Sequence, residues 1–119
     1  MTLALTHSVA LMGLEGHLVT VEVDIADGLP GYSLLGLPDA ALSESRDRVR
    51  SAIVNCAETW PNRKVTVSLS PAWLPKSGSS FDLAICIALL AAHETLQHEK
   101  IADTVFMGEL SLYGRIRSV

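Results

Sequence analysis

Residues 63–92, RKVTVSLSPAWLPKSGSSFDLAICIALLAA, change from one structural period to another across a single bend. From Arg63 to Ser70, Val65, Val67 and Leu69 alternate with polar residues, the period-two pattern of a strand with one covered face. Pro71 and Pro75 then stop any simple continuation of the ladder, and Gly78 permits backbone angles closed to most residues. Ser79 and Asp82 have the S-x-x-D spacing of a capping box, with Asp as a short substitute for Glu. A helix is therefore expected to begin at the serines and run to about His93, with Leu83, Ile87, Leu90 and Ala91 within a broad buried surface.

The flanking sequence extends this unit in both directions. Leu3 to Met12 has strand character, and His17 to Ile25 alternates Val19, Val21, Val23 and Ile25 with mainly polar residues. Asp27-Gly28 supplies a turn, and Tyr32 to Leu35 forms a further short strand before Gly36 and Pro38. The period then becomes helical over about Asp39 to Glu58, where Leu42, Val49, Ile53 and Cys56 recur on one side. Glu44 and Arg48 are spaced as an i,i+4 charge pair on the wetter face, and Pro61 sets the end of the helix. Val105–Leu110 and Leu112–Ile116 suggest two short β segments that extend or pair with one another. Strands, helix, strand, helix, strands is the order of an α/β two-layer domain.

With 119 residues and 49% in the hydrophobic class, the chain can build one core, so a single domain is expected. Thirteen acidic against nine basic residues give a net charge of −4, which disfavours a nucleic-acid surface built on bulk charge but leaves room for a local patch. Cys56 and Cys86 each fall inside an apolar helical pattern and read as buried thiols in a reducing compartment. The start lacks a positive n-region and no apolar run approaches the ~20 residues of a membrane span, so a cytoplasmic location without membrane contact is expected.

The sequence has no G-x-x-x-x-G-K-[ST] string, so ATP hydrolysis by that mechanism is not expected of this segment. His93-Glu94 and His98 miss the H-E-x-x-H spacing by one residue, which turns the second imidazole by about 140° around a helix and disfavours a shared zinc ion. Lys76-Ser77-Gly78-Ser79-Ser80 could pair a nucleophilic serine with a lysine base, although the loop context of Lys76 points to exposure and an ordinary ammonium. The bland reading of Lys76, Gly78, Ser79 and Asp82 is a structural loop, with Gly78 for the turn and a cap worth about 1 kcal/mol at Ser79. Free amides there could also hold an anion, a property shared by helix starts in general. Arg46 and Arg50, lying on nearly one side of the first helix, together with Arg63 and Lys64, are candidates for DNA or domain contact, diluted by Glu44 and Asp47.

Three stretches, LPGYSLLGLPDAALSESRDRVRSAI, VTVSLSPAWLPKSGSSFDLAICIALLAA and FMGELSLYGRIRSV, resemble in that order the amino-terminal domain of magnesium-chelatase-like AAA+ proteins, the ComM/YifB group. The resemblance spans nearly the whole chain. It implies a two-layer sandwich of the ribosomal-protein-S5-domain-2-like, or Lon-protease-domain-like, class, with a mixed sheet and helices on one face. It further implies that residues 1–119 are one amino-terminal domain of a longer parent, whose AAA+ domain carries the ATP and magnesium sites. The competence-associated members resemble hexameric helicases that drive DNA branch migration during recombination of incoming DNA, so DNA would be reached through the parent. No cofactor or metal is implied for the segment itself.

The Lon-like comparison places Ser80 at the position of a nucleophile. Ser79 stands where the Lon loop has Pro, and Phe81-Asp82 replace its small Ala-Gly pair. The partner lysine of that family falls beyond Val119. The resemblance thus implies a non-catalytic accessory domain, with two alternatives: a cryptic Lon-like serine hydrolase completed elsewhere, and a direct DNA-binding module.

Overall fold

The computed structural model describes residues 2–12, 14–71, 74, 76, 79–93, 101 and 103–118. Strand β1 (Thr2–Met12) pairs antiparallel with β2 (Glu15–Ala26), and β2 pairs antiparallel with β4 (Lys64–Ser70). Strand β3 (Gly31–Leu35) lies parallel to β4, with Tyr32 opposite Val65 and Leu34 opposite Val67. The spatial order is β1-β2-β4-β3, a mixed sheet as expected. A parallel neighbour demands a crossover, which helix α1 (Asp39–Asn55) supplies between β3 and β4.

Alternation dictates which side of this sheet is covered. Val19, Val21, Val23 and Ile25 of β2 and Val65, Val67 and Leu69 of β4 are almost fully inaccessible, and they meet Val49 and Ile53 of α1 and Ile85 and Leu89 of α2 (Asp82–Ala92) in one core. On β1 the covered positions are small: Ala4, Thr6, Ser8 and Ala10. That row lets α2 come close enough for the Thr6 hydroxyl to donate to the Ala84 carbonyl at 2.8 Å. Gly36 has a comparable role at the end of β3. Its φ is +107°, and a Cβ there would stand 2.6 Å from the Leu69 carbonyl oxygen.

Several boundaries differ from the sequence expectation for identifiable reasons. Helix α1 stops at Asn55 rather than near Glu58, and Pro61 is not what ends it. Ala57 takes a left-handed φ of 63°, its amide donates to the Val54 carbonyl, and the Glu58 amide reaches back to Ile53, both at 3.1 Å. This is a Schellman closure with alanine in the position usually given to glycine. Helix α2 starts at Asp82, and besides Asp82 itself its buried residues are Ala84, Ile85, Cys86, Ala88, Leu89, Ala91 and Ala92. Leu83, Ile87 and Leu90 form the flank, packed against the core but only partly covered. The expected carboxy-terminal β segments shrink to β5 (Glu109–Leu110) paired with β6 (Ile116–Arg117). Val105 leaves that ribbon for an isolated parallel bridge to His7, and the Phe106 amide donates to the His7 carbonyl at 2.8 Å.

A left-handed alanine carries a steric cost of about 1–2 kcal/mol that glycine avoids. Ala57→Gly is expected to stabilise the fold by about 0.5–1 kcal/mol, read as a raised urea midpoint at unchanged slope.

Candidate functional site

The bend before α2 carries the sequence-derived serine and lysine, and each is engaged with backbone groups. Lys76 is 6% exposed, against the expectation of an exposed side chain. Its Nζ donates to the carbonyls of Pro71 and Leu74, each at 2.8 Å, so the ammonium closes the bend on itself. Burial pushes its pKa below the ordinary lysine value. Ser80 uses its carbonyl to accept from the Gly108 amide at 3.0 Å, and its hydroxyl has no hydrogen-bond partner among the described residues. Gly78 and His98 lie outside the described residues.

The capping box does not form. Phe81 occupies the cap position with no side-chain hydrogen bond, and the Asp82 amide donates instead to the Ser79 backbone carbonyl at 3.1 Å. The Asp82 side chain, 1% exposed, has turned away from the helix start to meet three other donors. Arg48 grips it in a fork, Nε to Oδ2 at 2.6 Å and Nη2 to Oδ1 at 3.1 Å. The Ser45 hydroxyl donates to Oδ1 at 3.0 Å, and the Leu110 amide donates to Oδ2 at 3.2 Å. One carboxylate thus ties α1, α2 and β5 together. The hydrogen bond that Arg48 donates to Asp82 raises its pKa above the ordinary arginine value. The expected i,i+4 pair of Glu44 with Arg48 is present at 4.0 Å, but the Asp82 fork is the closer contact and withdraws Arg48 from water. Ala41, Glu44, Arg48, Ser79 and Glu109 line a cleft of about 280 Å³ over this cluster.

Of the four basic candidates the structure brings Arg46 and Arg50 into one cleft, with Arg63 and Lys64 nearby at the start of β4 but outside its lining. Lys64 opens β4 directly opposite Gly31 of β3, and the Gly31 amide donates to the Arg63 carbonyl at 3.3 Å. Arg46 and Arg50 face the same region from α1, where they line a cleft of about 340 Å³ with Gly31, Tyr32, Trp60 and Asn62. The Arg50 guanidinium stands 5.8 Å from the Trp60 ring centroid, and Tyr32 tilts against the same indole at 5.7 Å. Arg46 reaches Asp47 at 3.4 Å and Arg63 reaches Asp27 at 3.0 Å, both exposed contacts. Sequence reading omitted Ser45, Tyr32, Trp60 and Asn62. Ser45 and Arg48 had a usable signal, their three-residue spacing on one helix face, but nothing local showed that Asp82 would lie opposite.

A family model described as "Subunit ChlI of Mg-chelatase" matches residues 21–119. The chain belongs to this family. Among its relatives are an uncharacterized protein of Mycobacterium tuberculosis, 52% identical, YifB of Escherichia coli, 47% identical, and the competence protein ComM of Haemophilus influenzae, 44% identical. Each match covers all 119 residues of this chain and 23–24% of the relative, so the chain spans about a quarter of their length. The resemblance to the ComM/YifB group of magnesium-chelatase-like AAA+ proteins is borne out, and so is the Lon-domain-like two-layer sandwich.

This ChlI-family domain also separates its two thiols. Cys86 is buried, and burial, followed by the influence of Cys56 and Asp82, pushes its pKa up to about 12. Cys56 is exposed at the end of α1, contrary to the expectation of two buried thiols. One thiol should therefore react with a maleimide in the native domain and two after denaturation, counted by intact mass.

Breaking a buried, charge-assisted pair leaves an uncompensated ion. Arg48→Met is expected to cost about 3 kcal/mol in urea unfolding, and Arg48→Met combined with Asp82→Leu should cost clearly less than the sum of the two single changes.

Proposed function

We propose that this domain is a non-catalytic accessory domain of a magnesium-chelatase-like AAA+ ATPase, and that residues 1–119 form the amino-terminal unit of that longer chain. The parent is read as a DNA branch-migration helicase in recombination of incoming DNA, assembled as a hexamer and working in the cytoplasm. ATP and magnesium are used by the parent's AAA+ domain. This domain supplies a rigid α/β surface beside the motor, for assembly or DNA placement.

The observation that carries the non-catalytic reading is the engagement of Lys76. An ammonium bonded to two carbonyls has no lone pair to take a proton from Ser80, whose hydroxyl has no described partner. The outer face of β1 supports an accessory role. Leu3, Leu5 and Leu11 stand out from it beside Leu18 of β2, each at least 45% exposed, an apolar row interrupted by His7 and of the kind that marks an interaction surface. Its proposed occupant is the AAA+ domain of the same parent, since about three-quarters of the relatives' length lies outside the matched region. Among the described residues, no helix is long and apolar enough to cross a membrane.

A fluorophosphonate serine probe applied to the parent protein tests this reading. The expected result is no adduct on the peptide containing Ser80, and a parent ATPase rate within about twofold of wild type for Ser80→Ala. Specific labelling of Ser80, abolished by that substitution, would establish the hydrolase instead.

A further inference from the structure

We propose that the cleft between α1 and the segment entering β4 binds one nucleotide of a single-stranded nucleic acid, its base stacked on Trp60 and its phosphates held by Arg46 and Arg50. The inference goes beyond the proposed function by giving this domain its own nucleic-acid contact, and it does not require the parent to migrate branches.

Three features of the cleft converge on that ligand. The first is an indole fixed from one side. Trp60 is half-buried, precedes Pro61 in the chain and is braced by the tilted ring of Tyr32. A rigid, partly open aromatic ring is the platform on which unpaired bases of any sequence stack. The second is the state of Arg50. It is exposed, and among the described residues it has no carboxylate partner and rests against the ring. A base can take its place on the indole while the freed guanidinium moves to the adjoining phosphate, exchanging a weak exposed contact for a charge-assisted one.

The third feature is the direction in which positive charge continues. Arg46 lies one helical turn from Arg50 on the same wall, and Arg63 follows Asn62 of the cleft in the chain, whereas Lys64, next to inward-facing Val65, belongs to the outer face of the sheet. Their carboxylate neighbours do not close the site. Asp47 and Asp27 hold Arg46 and Arg63 through exposed ion pairs, which contribute little and give way readily to a phosphate. A further guanidinium, Arg63, next in the chain to Asn62 of a cleft of about 340 Å³ fits a strand, whose phosphates continue beyond the bound nucleotide, better than a free mononucleotide. Asn62 at the rim supplies an amide able to donate to or accept from a base edge. An acidic peptide would satisfy the arginines but would leave the indole unused.

The test is photo-crosslinking of the parent protein to a short single-stranded oligonucleotide carrying one 5-iodouracil, in DNA and RNA arms, with adducts mapped by mass spectrometry. An adduct on Trp60 is expected in at least one arm, and the arm that gives it identifies the sugar. Trp60→Phe should keep stacking-dependent binding, whereas Trp60→Leu should lose it. Arg50→Gln should lower the Trp60 adduct yield about tenfold at low salt, and the yield of the variant should then fall less steeply with added salt than that of wild type. A melting temperature within a few degrees of wild type confirms that each variant is folded. Adducts confined to other residues, or a yield indifferent to Arg50→Gln, would overturn the proposal. Full competition by adenosine monophosphate at equal nucleotide concentration would overturn the strand as ligand. Failure of the accessory-domain reading would appear separately, as Ser80 labelling.

Discussion

A single buried carboxylate sets the arrangement of everything on the covered side of the sheet. Asp82 stands in the first turn of α2, where the helix dipole favours negative charge, and it is almost wholly removed from water. A carboxylate in that setting is tolerated only when its oxygens are supplied with donors. Four hydrogen bonds meet this need, two from Arg48 and one each from Ser45 and the Leu110 amide. The two helices and the short carboxy-terminal ribbon therefore cannot shift independently. The register of the last segment follows from the same constraint, because the Gly108 backbone bonds to both Ser80 and Leu83 while Leu110 reaches the carboxylate.

The sheet responds to this clamp on its two faces in different ways. Its inner face grades from branched residues on β2 and β4 to Ala4, Thr6, Ser8 and Ala10 on β1, which accommodates a helix made largely of alanine, isoleucine and leucine. Its outer face carries leucines along β1 and polar residues such as Thr66 and Ser68 along β4. A domain built in this way presents two chemically separate surfaces. The apolar stripe suits a protein neighbour, and the arginine and tryptophan cleft lies at the β3 and β4 end of the sheet. The two proposed roles, seating beside a motor and holding a strand, thus do not compete for the same residues.

Most of the sheet could be read in advance because period-two alternation records burial directly, and Val65, Val67 and Leu69 lie inward as their spacing demanded. The helices were legible in existence and extent, but less so in detail. Helix α2 is apolar on nearly all sides, so its sequence has almost no preferred face: of the expected Leu83, Ile87, Leu90 and Ala91 only Ala91 is fully covered, the three larger residues are partly so, and Ile85 and Leu89 are the more deeply buried. The capping box failed for a related reason. S-x-x-D describes a local bond, whereas Asp82 found stronger donors 34 and 37 residues away. Lys76 shows the same limit: a loop lysine reads as solvated unless the bend folds its own carbonyls around the ammonium.

Net charge is a poor guide to this protein's surface because it sums over positions that the fold separates and regroups. The chain total of −4 argues against nucleic-acid contact only if the charges are evenly spread. Two arginines one turn apart on α1 and two basic residues at the start of β4 are 13 to 18 residues distant in sequence, yet the parallel pairing of β3 with β4 carries them to one end of the sheet. The acidic residues there are exposed and hold their partners weakly, while Asp82 is withdrawn into the interior and fully engaged. What a phosphate would meet at Trp60 is thus set by local geometry, and an indole beside an uncommitted guanidinium offers it more than the overall composition suggests.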